Sequence, residues 1–344
     1  MMSDISIRKE GVAGRITLTR PKALNALSYE MCTAIEGALD AWAEDDAVQV
    51  LIIDAEGDKA FCAGGDIAEL YATGRAGDFD YGRKFWADEY RMNAKLFEFP
   101  KPVISFLQGF TMGGGVGIGC HGSHRITCES SRIAMPETGI GLIPDVGGSL
   151  LLSQCPGRIG EYLGCTSGRM TAADAIYAGF ADYYVPALKW AELKSALAMS
   201  GDLTWIDKAA EPATPSTLKD DAETIERCFG GETLGDIFDA LKAETGDFAA
   251  RTLATMQRNS PLSMAATIEI IHRLRGSDDI RRALELEYRF TARAMEHGDF
   301  LEGIRAAIID KDKNPTWRHN GPDVPATQVS HMLMPLGADG LSFT

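Results

Sequence analysis

The run Val103-Ile104-Ser105-Phe106-Leu107, followed after four residues by Met112-Gly113-Gly114-Gly115-Val116-Gly117-Ile118-Gly119, decides the fold class of this 344-residue chain. Five apolar and small residues after Pro100 and Pro102 read as a buried strand, and the prolines end the helical stretch before it. The same order occurs earlier: Val48 to Ile53 reads as a buried strand and is followed by Phe61-Cys62-Ala63-Gly64-Gly65-Asp66. Between the two runs, Phe79 to Phe97 carries Phe85, Tyr90 and Leu96 at helical spacing. Strand, helix and strand in this order predict an α/β fold whose strands are joined by parallel crossovers.

Working outward, Ile5, Ile7, Ile16 and Leu18 alternate with polar residues around Gly11 to Gly14, which predicts an opening hairpin. Ser28 can cap a helix bearing Met31, Ile35, Leu39 and Trp42. Arg125 to Cys128, Arg132 to Met135 and Tyr183 to Val185 read as further short strands, and Thr171 with Asp174 as a capping box. The stretch Gly139 to Gly148 is too rich in glycine for either element. After Tyr183 to Val185 the strands stop, and helices such as Pro261 to Arg275 and Asp278 to Glu296 take over. A soft boundary near residue 200 divides the chain into 1–200 and 201–344. Clusters such as Glu285-Leu286-Glu287 read as solvated helix faces.

With 45% apolar residues the chain can bury a sizeable core. Its formal charge of -15 gives no electrostatic support for gripping nucleic acid or an anionic membrane surface. Seven cysteines without a CxxC pair read as reduced, buried thiols. The first ten residues lack the apolar core of a signal peptide, and no stretch reaches the roughly 18 apolar residues of a membrane span. A cytoplasmic protein is the expectation.

Backbone without side chains lets amide N–H groups approach a ligand, so two glycine loops at one sheet edge can aim two donors at one oxygen. Either loop alone reads as tight turns or close packing; together they favour a site. Gly117-Ile118-Gly119-Cys120-His121-Gly122 matches GxGxxG, but the residues after it alternate like a strand where a dinucleotide site needs a helix. No cofactor is expected. His121 and His124 have no partners at metal-ligand spacing, so no metal site is expected either. The third feature is Met135-Pro136-Glu137-Thr138-Gly139-Ile140-Gly141-Leu142-Ile143-Pro144-Asp145-Val146-Gly147-Gly148. Carboxyls set in such apolar surroundings can be tuned for acid-base or nucleophilic work. A surface position for Glu137 and a helix cap for Asp145 fit the residues as well.

These glycine loops and the Pro136-Glu137 to Gly148 segment resemble the crotonase, or enoyl-CoA hydratase/isomerase, superfamily, as does Arg20-Pro21-Lys22-Ala23-Leu24-Asn25-Ala26-Leu27. Glu287-Tyr288-Arg289 and Asp299-Phe300-Leu301-Glu302-Gly303-Ile304-Arg305-Ala306 are similar to its 3-hydroxyisobutyryl-CoA hydrolase branch. The resemblance covers almost the whole chain. It implies a core of repeated ββα units over 1–200 holding an acyl-CoA site, with a mainly helical region over 201–344. It implies oxyanion donors at the amides of Gly65 and Gly114, and a substrate site with Glu89, Gly114, Glu137 and Asp145. Hydratases of the superfamily use two glutamates, and here the first of those positions is Gly117. That departure points to thioester hydrolysis, with valine breakdown as its setting. Glu137 then attacks the carbonyl or activates water, and Asp145 is the second acid-base group or shares the substrate 3-hydroxyl with Glu89. An acyl-CoA partner and a homo-oligomer of unspecified number are implied, with CoA a substrate moiety and its phosphates near basic groups such as Lys22. The rival readings are an enoyl-CoA hydratase or isomerase, and a non-catalytic acyl-CoA-binding relative.

Overall fold

An alternating hairpin and continuous apolar runs build the main sheet of this computed structural model, which describes residues 4–343. β1 (Ile5–Glu10) and β2 (Ala13–Leu18) pair as the expected antiparallel hairpin. β3 (Val50–Ala55) lies parallel to β2, and Ile52 and Ile53 have no solvent exposure, as a strand covered on both faces requires. β4 (Ala60–Cys62) follows after a turn; then come β5 (Val103–Leu107), β6 (Phe110–Met112), β7 (His124–Thr127), β8 (Arg132–Ala134) and β9 (Tyr183–Tyr184). The larger sheet has the order β1-β2-β3-β5-β7-β9 and the smaller β4-β6-β8. Each of the pairs β3/β4, β5/β6 and β7/β8 thus sends its first strand to the larger sheet and its second to the smaller. These are the repeated ββα units that the resemblance implies.

Of the smaller sheet the sequence reading finds only β8, because β4 and β6 are three residues long and merge into glycine loops. One glycine loop also departs from expectation: Gly114–Gly119 is helical. Each glycine in a helix costs about 1 kcal/mol relative to alanine, so propensity argues against it. Close packing overrides propensity here. A Cβ on Gly115 would lie 2.2 Å from the Cys62 carbonyl oxygen, and one on Gly119 would lie 2.7 Å from Leu107.

By its internal contacts the chain divides into two compact units. The first takes the residues to Asp66, Arg91–Ala134 and Arg169–Lys219, and contains both sheets. Its core sets Val50 and Ile52 of β3, Ile104 and Phe106 of β5 and Ile126 of β7 against Trp190, Leu193 and Leu197 of helix Trp190–Ser200. The second takes Ile67–Tyr90, Met135–Gly168 and the residues from Asp220 on. It is helical, with Pro261–Leu274 and Ile280–His297 as its longest helices after residue 200. Ser28 caps helix Tyr29–Ala43 and Thr171 forms the capping box of Ala172–Ala178, as their sequences predict. Among the described residues no helix is long and apolar enough to cross a membrane, and all seven cysteines are buried free thiols.

Candidate active site

Gly65 and Gly114 follow β4 and β6, which pair in parallel, so their loops leave the same sheet edge. Leu27 N–H donates to the Gly64 carbonyl at 2.9 Å, and Asp66 N–H donates to the Leu27 carbonyl at 2.9 Å. In a parallel bridge of this pattern the residue between, Gly65, turns its own N–H away from Leu27. Gly114 opens helix Gly114–Gly119, so its N–H has no intrahelical acceptor. Gly113 before it has φ 48° and ψ -119°, a conformation suited to glycine. The loops approach closely, since a Cβ on Gly64 would lie 3.5 Å from the Met112 carbonyl oxygen. Two unengaged amides on neighbouring turns are what a carbonyl oxygen gaining negative charge needs.

The second unit holds a separate cluster of acids. Glu89 lies on helix Phe79–Phe97, Glu137 opens the short 3-10 turn Glu137–Ile140, and Asp145 lies eight positions later. All three are buried, at 3%, 5% and 5% exposure, which removes the surface alternative for Glu137. The capping alternative for Asp145 fails as well. The cap of helix Gly148–Ser153 is Gly147, and the Asp145 carboxyl instead accepts a 2.7 Å hydrogen bond from the Tyr90 hydroxyl. Thr291 Oγ1 lies 3.4 Å from the same hydroxyl.

Sequence reasoning missed Tyr90, Ser149 and Thr291 at this site, and it misread Glu287. Glu285 is exposed as expected, but Glu287 is wholly buried. Its carboxylate accepts from Gly147 N–H at 2.8 Å, from Ser149 N–H at 3.1 Å and from the Ser149 hydroxyl. A usable signal was present in the helical period: Leu284, Glu287, Tyr288 and Thr291 share one face, and the other three are buried with it.

Burial, and after it the charge of Asp145, pushes Glu89 and Glu137 well above the usual carboxyl range. Burial pushes Asp145 up to about 7, against the Tyr90 hydrogen bond, which favours its ionised form. Glu287 is pushed up to about 8 by burial, and the charge of Asp145 adds to this against the hydrogen bond from Ser149. The buried acids with cationic partners behave in the opposite way. Hydrogen bonds from His272, Arg275 and Arg158 outweigh burial at Glu161 and hold it down to about 2. Asp54, salt-bridged to Arg15 at 2.7 Å and Lys194 at 2.9 Å, is likewise lowered despite its burial. Asp145 and Glu287 have a phenol, a hydroxyl and amides as hydrogen-bond partners, and Glu137 Oε2 is buried with no hydrogen-bond partner. Acids buried without cations hold protons at neutral pH and can give or take them.

Residues 13–333 match the family model described as enoyl-CoA hydratase/isomerase. The chain is 36% identical to the mitochondrial 3-hydroxyisobutyryl-CoA hydrolase of Gallus gallus, over 98% of this chain and 91% of that protein. It is also 36% identical to the enzyme of that name in Danio rerio, over 92% and 85%. A crystal structure described as an enoyl-CoA hydratase from Rhodobacter sphaeroides superposes with a TM-score of 0.94 at 53% identity, covering 99% of this chain and 100% of that one. The expectation of a cytoplasmic protein is corrected by these comparisons, since the animal relatives are mitochondrial enzymes. Acidic charge and reduced thiols describe an aqueous, reducing compartment and carry no address among those that fit.

Proposed function

The chain belongs to the enoyl-CoA hydratase/isomerase family, and within it we propose that the chain hydrolyses the thioester of 3-hydroxyisobutyryl-CoA to the free acid and CoA. The observation that carries this reading is the pairing of buried Glu137 with buried Asp145 while the position of the other hydratase glutamate is Gly117. A hydratase moves two protons through two carboxyls placed for a double bond, and glycine at 117 offers no such group. The full-length likeness to 3-hydroxyisobutyryl-CoA hydrolases supports the same acyl group, and valine breakdown as its metabolic setting.

In the proposed mechanism the amides of Gly65 and Gly114 donate to the thioester oxygen. Glu137 and Asp145 titrate as a coupled pair, so near neutral pH one is ionised and its neighbour protonated. Asp145 is the ionised member of the resting pair; the proton passes from Glu137 to Asp145, the freed Glu137 carboxylate attacks the carbonyl carbon, the carbon–sulfur bond breaks, and the Asp145 proton goes to the departing CoA sulfur. Water then hydrolyses the resulting anhydride and returns both carboxyls to their starting state. Glu89 binds the substrate 3-hydroxyl, and a pocket that bonds a hydroxyl rejects analogues lacking it. The homo-oligomer implied by the resemblance belongs to the same proposal, and sedimentation reads it.

The relative described as an enoyl-CoA hydratase makes hydration the second reading. Thiol release from 3-hydroxyisobutyryl-CoA, run beside loss of conjugated absorbance from crotonyl-CoA, separates the two. CoA release without hydration is expected; hydration without release would overturn the hydrolase. Glu137→Gln and Asp145→Asn should each lower kcat by at least about a hundredfold, judged against the 10²–10⁴ range for acid-base groups. Near-normal turnover by either variant removes that residue from the mechanism. A single turnover in heavy-oxygen water tests the first step: an unlabelled acid product with the label left on the Glu137 carboxyl marks attack by the carboxylate, whereas direct attack by water always leaves the label in the product and none on Glu137.

A further inference from the structure

Asp145 precedes two residues of left-handed backbone, Val146 at φ 54° and Gly147 at φ 79°. Glycine adopts this conformation freely, but in a β-branched residue it is strained and persists only where the surroundings hold it. The N-cap of the helix that follows is glycine and brings no side chain to satisfy the first amides. The missing acceptor comes from 140 positions away. Glu287 accepts from the N–H groups of Gly147 and Ser149 and from the Ser149 hydroxyl. Gly148, between those two residues, donates its own N–H to the Asp145 carbonyl at 2.7 Å. Helix Ile280–His297, which bears Glu287, also carries Thr291, beside the Tyr90 hydroxyl that bonds Asp145.

We propose that Glu287 is a positioning residue for Asp145, holding the strained Val146–Gly147 turn in the conformation that presents the Asp145 carboxyl to the substrate. This rests on the reading of the chain as a thioester hydrolase that uses Asp145. One carboxyl supplies both the cap of helix Gly148–Ser153 and the restraint on the turn, so the rotamer of Asp145 is set by a helix distant in sequence. A shift of about 1 Å in a reacting group can cost a hundredfold in rate. Glu287→Gln keeps the size of the side chain but turns an NH₂ toward one of the three donors, which releases the turn.

The test compares wild type, Glu287→Gln, Ser149→Ala and the exposed control Glu285→Gln in CoA release from 3-hydroxyisobutyryl-CoA. The parameters kcat and KM are resolved separately, and calorimetric titration with free CoA counts competent sites. Glu287→Gln should lower kcat about a hundredfold and Ser149→Ala about tenfold, with KM within about twofold of wild type and unchanged CoA stoichiometry. Glu285→Gln should match wild type. Wild-type kcat in Glu287→Gln overturns the proposal. So does a loss of kcat matched by an equal loss of CoA sites, because that reports unfolded protein and not a displaced carboxyl. If Glu287→Gln does not fold, Ser149→Ala decides by the same two criteria, since it removes a hydroxyl and leaves both amide bonds to Glu287. Absence of CoA release in wild type sinks the hydrolase reading instead, and the variants are then judged on the crotonyl-CoA hydration rate.

Discussion

A carboxyl that titrates near 7, as Asp145 does, is poised to change its charge at working pH, and one hydrogen bond sets how easily it does so. The Tyr90 hydroxyl donates to it at 2.7 Å and favours the ionised form against burial. Tyr90→Phe removes that donor and leaves the ring, so the Asp145 titration should move further upward. The acid limb of kcat/KM then shifts to higher pH, and activity falls more at about pH 6 than at about pH 8. A pH profile checks this, and an unmoved limb would detach that limb from Asp145. Glu137 and Asp145 were legible as candidate residues because carboxyls stand out in an apolar, glycine-rich loop, and Glu89 through the family resemblance. Tyr90 was legible only as one more ring on a helix face. Its phenol matters through a partner 55 positions away, which no local pattern records.

Among the elements, the glycine loops are where packing rules most strictly. The Gly115 site admits no Cβ, because the atom it would meet at 2.2 Å is the backbone oxygen of Cys62 at the end of β4 and cannot swing aside. Gly115→Ala should therefore force the β4 and β6 loops apart, displace the Gly114 amide and lower kcat about a hundredfold, the scale of losing one oxyanion donor. Gly37, in the middle of helix Tyr29–Ala43, has nothing within 4 Å of its would-be Cβ. Gly37→Ala should leave kcat unchanged and stabilise the chain by about 1 kcal/mol in denaturant unfolding. Equal effects of the two alanines would refute the packing argument. The opening hairpin, the capped helices and β5 were readable because local periodicity and caps specify them. Strands β4 and β6 and helix Gly114–Gly119 were not, because three-residue strands beside glycine loops show no period and polyglycine has no helical preference.

For the whole molecule, the proton balance of the buried acids makes stability depend on pH. Asp145 rises from 3.8 to about 7 on folding and Glu287 from 4.5 to about 8, so the folded chain binds more protons than the unfolded chain between those values. Their contribution to stability is fully present below about pH 4 and is lost as pH rises through 7 to 8. Unfolding free energy measured in denaturant should therefore fall from about pH 5 to about pH 8, and Glu287→Gln should fall less than wild type. Equal slopes in the two proteins would mean that Glu287 titrates normally in the folded state. The sequence by itself determined the α/β class, the opening hairpin and the helical region after residue 200 and marked Glu137 and Asp145 as candidates, because periodicity, caps and glycine content act between near neighbours. Only the tertiary structure decided which acids are buried together without a cation, that Glu287 belongs with them and that Tyr90 and Ser149 serve them. Burial and hydrogen bonding join residues far apart in the chain, and the free energy of a charge is set by what surrounds it in space.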